Sequence, residues 1–270
     1  MAWQSFVAIG DSFTEGMNDL DPGTGRYRGW ADLVASRLAT ESAAFTYANL
    51  AIRGRLFDNI VEEQVPPALR MHPDLMSFAA GGNDALRRGF DVNKIIGRLD
   101  AVMKLLRASG ADVITFTSAD LTSRLPLQRV MVPRVRAMND AIAAVADRRG
   151  AILIDLWADD EFRNSALWSV DRLHMNSLGH QRTAAHVLTA LGVAPEPSWL
   201  DAPGRPAVLP WVRARVEDVR WAREHLAPWV KRRLTGTSSG DDITAKRPAL
   251  APVTMPAAAV MEGYSAAVDG

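Results

Sequence analysis

Cysteine is absent from this chain of 270 residues, which excludes disulfides, thiolate metal sites and a cysteine nucleophile. An excess of charge is absent too, because 31 Lys and Arg balance 31 Asp and Glu. Without a net field, nothing favours nucleic acid or an anionic membrane surface as a partner. No apolar run approaches the roughly 20 residues that a membrane helix needs. Residues 1–5 lack the basic segment that opens a secretory signal and run straight into an apolar stretch. Cleavage there would remove the Gly10-Asp11-Ser12 segment itself, so the expectation is a cytoplasmic protein. What is present, 48 % hydrophobic and 23 % charged residues, suits a globular chain with a sizeable core.

Short apolar runs alternate with amphipathic stretches from residue 5 to about residue 192. Strands are expected at 6–9, 45–50, 75–79, 113–117 and 152–156, each followed by Gly, Ser, Asp or Asn. Helical patterns fall at 30–39, 56–69, 92–108, 135–149 and 177–191, with Ser177 as N-cap and Gly192 as stop of the last. Five strands with intervening helices predict an α/β fold, a parallel sheet covered on both faces. The flavodoxin-like order 2-1-3-4-5 places its switch point, where ligands bind, beside the first strand.

Three units follow: a catalytic-type domain over 1–192, a linker and helical extension over 193–234, and a tail over 235–270. The stretch 209–234, rich in Trp and Arg, reads as helix interrupted before Pro228. Its apolar stripe (Trp211, Arg215 and Val219 with Val212, Val216 and Ala222) is expected to pack back on the domain. Peripheral contact with a membrane or partner is the alternative. The Ala-, Pro-, Gly- and Ser-rich tail has no periodicity, so it is expected to be disordered and dispensable for melting temperature and activity.

The chemistry-bearing residues sit after strand ends. Ser12, in Gly10-Asp11-Ser12-Phe13, lies on a tight strand-to-helix turn, and a hydroxyl needs a base to become nucleophilic. In Asp171-Arg172-Leu173-His174 an acid and an imidazole arrive as a unit, the carboxylate able to orient Nδ1. His72, His180, His186 and His225 have no comparable partner, and the spacing of His174 and His180 argues against zinc. Gly54 and Asn83, with the backbone N–H of Ser12, would form a three-donor oxyanion hole. Gly236-Thr237-Ser238-Ser239-Gly240 fits the G-x-S-x-G pattern but lacks a strand before it, so Ser238 is rejected as nucleophile. Pocket walls are expected from 17–29, 85–91, 118–132 and 157–170, including Leu86, Arg87, Arg88, Phe162 and Trp168.

The segments GDSFTEG (10–16), NLAIRGR (49–55), AAGGND (79–84) and DRLHMNSLGH (171–180) together resemble the SGNH hydrolases, the GDSL-type esterase and lipase superfamily, in an actinobacterial-looking intracellular form. The resemblance implies a flavodoxin-like α/β/α sandwich without metal or cofactor. It implies Ser12 as nucleophile, Asp171 and His174 as the rest of a triad, and Gly54 and Asn83 in the oxyanion hole. Arg172 departs from the small residue of many members and is expected to alter the pocket rim. The expected function is hydrolysis of a small-molecule carboxylic ester through an acyl-enzyme. The alternatives are an acyltransferase with the same triad and a non-catalytic module whose 10–16 turn cradles a phosphate.

Overall fold

The computed structural model describes residues 3–121, 128–206, 210–228, 231, 235 and 237–253. Five parallel strands, β1 (Ser5–Ile9), β2 (Thr46–Asn49), β3 (Leu75–Phe78), β4 (Asp112–Phe116) and β5 (Ile152–Ile154), lie in the expected order 2-1-3-4-5. Alternation along β1 explains why the sheet is covered twice. Phe6 and Ala8 enter one core with Trp30, Val34 and Leu188, while Val7 and Ile9 enter the other with Ile60, Met76 and Met103. Helices α2 (Gly29–Ala39) and α7 (Ser177–Ala190) pack together on the first face. On the second lie α3 (Phe57–Arg70), α5 (Val92–Ala108) and α6 (Gln128–Arg149). Two single-turn helices, α1 (Ser12–Glu15) and α4 (Gly82–Ala85), follow β1 and β3 directly. Among the described residues, no helix is long and apolar enough to cross a membrane.

Several expectations are corrected. The sheet has six strands, because β6 (Arg247–Pro252) pairs antiparallel with β2, Tyr47 facing Ala251 and Asn49 facing Arg247. Residues 237–253 are therefore ordered where a structureless tail was expected, and 254–270 lie outside the described residues. An edge strand needs backbone pairing on one side only, so it tolerates Pro248 and Pro252 and need not show apolar alternation. Lys246 anchors it: Nζ donates to the carbonyls of Glu15 and Arg28, each at 2.6 Å, and pairs with Asp32.

Helix α6 begins seven residues before the expected start, carrying Pro133 inside it. Burial of Met131, Val135, Met138 and Ile142 along one face outweighs the hydrogen bond that a proline forfeits near a helix start. The N-cap of α7 is Asn176, whose side chain accepts from the N–H groups of Leu178 and Gly179, while Ser177 donates instead to Asp19. Helix α8 (Trp211–Trp221) passes into a widened π-turn (Ala222–Leu226) before Pro228. Its stripe does not pack inward: Trp211, Val212, Val216 and Val219 are all exposed. The contact runs through Asp218 and Trp221. The expected helical positions 209, 229, 230 and 232–234 lie outside the described residues.

Candidate active site

Gly10 ends β1, and its backbone is clamped by the buried amide of Gln64, which accepts from Gly10 N and donates to Gly10 O, both at 2.9 Å. A Cβ at Gly10 would stand 2.4 Å from Thr14 Oγ1, so only glycine lets the chain fold back into α1 here. Asp11 caps α1, accepting from Phe13 N, and Ser12 opens the helix at the carboxyl edge of the sheet.

A tight reversal supplies the other two side chains. Trp168 bridges Met175 across it, Ser169 N donates to His174 O, and Arg172 takes a left-handed conformation at φ 61°. The result is one hydrogen-bonded row. Ser12 Oγ lies 3.0 Å from His174 Nε2, and His174 Nδ1 lies 2.7 Å from Asp171 Oδ2. The remaining capacity of Asp171 is filled by Asn18 Nδ2, Ser169 Oγ and the N–H groups of Leu173 and His174. Burial pushes the Asp171 carboxyl up, but the hydrogen bond and charge of His174 and the backbone donors outweigh it and hold it well below the usual carboxylate range.

Around Ser12 stand the other expected residues. Glu15 of α1 accepts from Arg53 N and pairs with the Arg53 guanidinium, so α1 holds the 53–54 turn. Gly54 has φ 75° and, with Ser12 and Asn83, lines one cavity. Asn83 Nδ2 donates to Asp11 Oδ2 and to Arg55 O, both at 3.0 Å. Burial raises the Asp11 carboxyl to about 6, against the lowering effect of its bond from Phe13 N and of nearby His174.

Two cavities meet at Ser12, sharing Met17, Asn83, Leu173 and His174. The larger, about 190 Å³, runs inward between apolar side chains including Phe116, Ala119, Met131, Met138, Leu156 and Trp168. The smaller, about 120 Å³, is walled by Arg53, Arg87 and residues 237–239. Of the expected wall residues, Leu86 and Trp168 line the first and Arg87 the second. Arg88 is exposed and lines neither, and Phe162 is core, its carbonyl accepting from Trp168 Nε1. Residues 122–127 of the expected 118–132 wall lie outside the described residues.

Arg172 does not form the rim. It turns away, pairing with Asp218 and lying 4.9 Å over the Trp221 ring, while Trp221 Nε1 donates to Asp171 O at 3.0 Å. His180 is buried, Nδ1 accepting from Trp30 N, and burial lowers it to about 4 despite nearby Asp19, so it is a neutral core residue. His186 pairs with Asp159 beside Arg182. No group of three or more His, Asp and Glu side chains suited to a metal occurs among the described residues.

Gln64, Asn18, Ser169, Trp221 and the 237–239 turn were not legible as site residues. Except for Ser169, which bonds to Asp171 two positions on, their roles depend on neighbours 50 or more positions away, and only the buried position of an amide such as Gln64 hints at a task. Ser238, rejected as nucleophile, does reach the site: a Cβ on Gly54 would stand 2.2 Å from its Oγ. Its hydroxyl accepts from Gly240 N, and Gly236 lies outside the described residues.

A model of the GDSL-like Lipase/Acylhydrolase family matches residues 8–182. No curated protein sequence gives a significant match. Among solved structures, LAE5, an alpha/beta hydrolase from the metagenome of Lake Arreo, Spain, is similar at 21 % identity and TM-score 0.60, over 72 % of this chain and 97 % of its own. An acetylxylan esterase from Geobacillus stearothermophilus, Axe2 as its H194A variant, gives 16 % and 0.60, over 74 % and 97 %. Esterase EstA from Pseudoalteromonas sp. gives 18 % and 0.56, over 70 % and 97 %. At these identities the likeness is one of fold.

Proposed function

Because the chain belongs to the GDSL-like lipase and acylhydrolase family, we propose that it is a serine esterase that cleaves carboxylic esters through an acyl-enzyme on Ser12. The observation that carries this reading is the unbroken row from Ser12 Oγ through His174 to Asp171. As Ser12 Oγ bonds to the ester carbon, its proton passes to His174 Nε2. Asp171 holds the imidazole by Nδ1 and stabilises the cation that forms. The carbonyl oxygen becomes an oxyanion facing the N–H groups of Ser12 and Gly54 and the amide of Asn83, the last exchanging one of its present acceptors for the oxyanion. Collapse breaks the bond to the alcohol, which leaves with the proton from Nε2. Water then attacks the acyl carbon, with His174 again taking a proton; the bond to Ser12 Oγ breaks, Oγ recovers the proton from Nε2 and the acid leaves.

A non-catalytic crevice would leave Asp171 and His174 without a task, whereas the ester reading uses both. A fluorophosphonate probe is expected to label the protein at Ser12 and Ser12→Ala to abolish labelling. Undiminished labelling of that variant overturns the assignment.

A further inference from the structure

The smaller cavity beside Ser12 has an unusual charge balance. Its lining residues include two guanidinium groups and four hydroxyl side chains, Ser12 among them, and no carboxylate. Arg53 is neutralised by Glu15. Arg87 has no carboxylate within ion-pair distance among the described residues, its charge being felt only at longer range by Asp84. Its Nε is buried and has no hydrogen-bond partner among the described residues. A guanidinium without a counter-charge at the wall of a cleft favours an anion in that cleft.

The wall opposite Arg87 is built by the chain itself, from beyond the family match. Residues 237–240 lie against the 53–54 turn so closely that a Cβ on Gly240 would stand 2.1 Å from Arg53 O. Asp241 fixes the turn, accepting from Ser238 N at 2.7 Å and pairing with Arg55 at 3.3 Å. Lys246 and β6 secure the chain that follows. Thr237, Ser238 and Ser239 therefore face the cavity from a held segment.

Resting on the esterase reading, we propose that this cavity is a leaving-group subsite that selects an alcohol bearing an anionic group, with Arg87 binding the anion and the 237–239 turn closing the far wall. The apolar cavity on the other side of Ser12 then takes the acyl chain, so the preferred substrate is an apolar acid esterified to a short, anionic, hydroxylated alcohol. A guanidinium donates to two oxygens of one anion at once, which an ammonium does not.

The test compares 1-hexanoylglycerol 3-phosphate with 1-hexanoylglycerol, with p-nitrophenyl hexanoate as reference. The phosphate ester is expected to exceed its neutral counterpart in kcat/KM by at least about tenfold, the scale of a hydrogen bond to a charged group. Arg87→Gln should bring that ratio close to one, and Arg87→Lys should restore part of it. Glycerol 3-phosphate should inhibit p-nitrophenyl hexanoate hydrolysis competitively in the wild type and much less in Arg87→Gln. A wild-type ratio near one, a ratio that survives Arg87→Gln, or faster turnover of hexyl hydrogen succinate (the reversed arrangement) overturns this subsite while leaving the esterase intact. No Ser12-dependent hydrolysis of p-nitrophenyl hexanoate overturns the esterase reading and this one with it.

Discussion

Two carboxylates flank Ser12, the proposed nucleophile, and their surroundings push them in opposite directions. Asp171 is half-buried, yet its donors hold it ionised, as the proposed role of steadying a cationic His174 requires. Asp171→Asn keeps the shape but favours the wrong imidazole tautomer, so kcat on an aryl ester is expected to fall by up to about 10⁴ with the fold retained by circular dichroism. Activity near that of the wild type would show that the carboxylate is only a loop cap. Asp11, by contrast, is raised to about 6 by burial. The folded state then binds more protons at Asp11 than the unfolded chain does between about pH 4 and 6, so this group makes stability fall as pH rises through that window and hold level above it. The two-unit rise corresponds to a contribution on the order of 3 kcal/mol. Because Asp32 is raised to about 6 by burial as well, urea unfolding at pH 4.5 and 7.5 is expected to show a fall in the wild type and a smaller one in Asp11→Asn; equal pH dependence in both would refute it.

At the scale of elements, what holds the site is a set of short segments pinned from a distance. The clamp of Gln64 on Gly10, the hold of Glu15 on Arg53 and the bond from Trp221 to Asp171 each tie one segment of the candidate site to another element. Strand β6 is the clearest case, because it depends on one side chain sent inward. Lys246→Met removes the cation from half-buried Asp32 and strips three carbonyls of their donor. Leaving a carboxylate unpaired there, discounted for its partial exposure, is expected to cost about 2 kcal/mol, or roughly 4–8 °C in melting temperature. An unchanged melting curve by calorimetry would mean that β6 is attached only by its backbone. Removal of 235–270, which composition alone marks as harmless, is for the same reason expected to lower the melting temperature.

Across the whole molecule, the two faces of the sheet are closed by helices and the carboxyl edge is left for chemistry. The apolar cavity opens there because α6 lays Met131, Val135 and Met138 beside the β4 end residue Phe116. Lengthening the acyl chain of p-nitrophenyl esters is therefore expected to raise kcat/KM close to fourfold per methylene, about 0.8 kcal/mol each, until the cavity is filled. Ala119→Leu narrows the chamber and should move that limit to shorter chains, as steady-state kinetics across the series would report.

Strand order, the two covering layers and the row of Ser12, His174 and Asp171 were legible because they rest on local signals: apolar alternation, strand-end glycines, and an acid three positions from a base. Asp171 and His174 meet within one reversal, and β1 delivers Ser12 to the edge where that reversal lies, so short-range pattern sufficed. Other features escaped. The inward pull of Lys246, the retreat of Arg172 to Trp221 and the arrival of Ser238 over Gly54 are pairings between segments 40 to 230 residues apart, and the outward stripe of α8 follows from which of its residues find such a partner. Composition carries no record of such pairings, since an edge strand without periodicity looks the same as an unfolded tail. The sequence by itself determined the five parallel strands and which groups gather at their edge; only the tertiary structure decided the sixth strand and what walls that edge, because both are made by contacts whose energy exists only once distant segments are packed together.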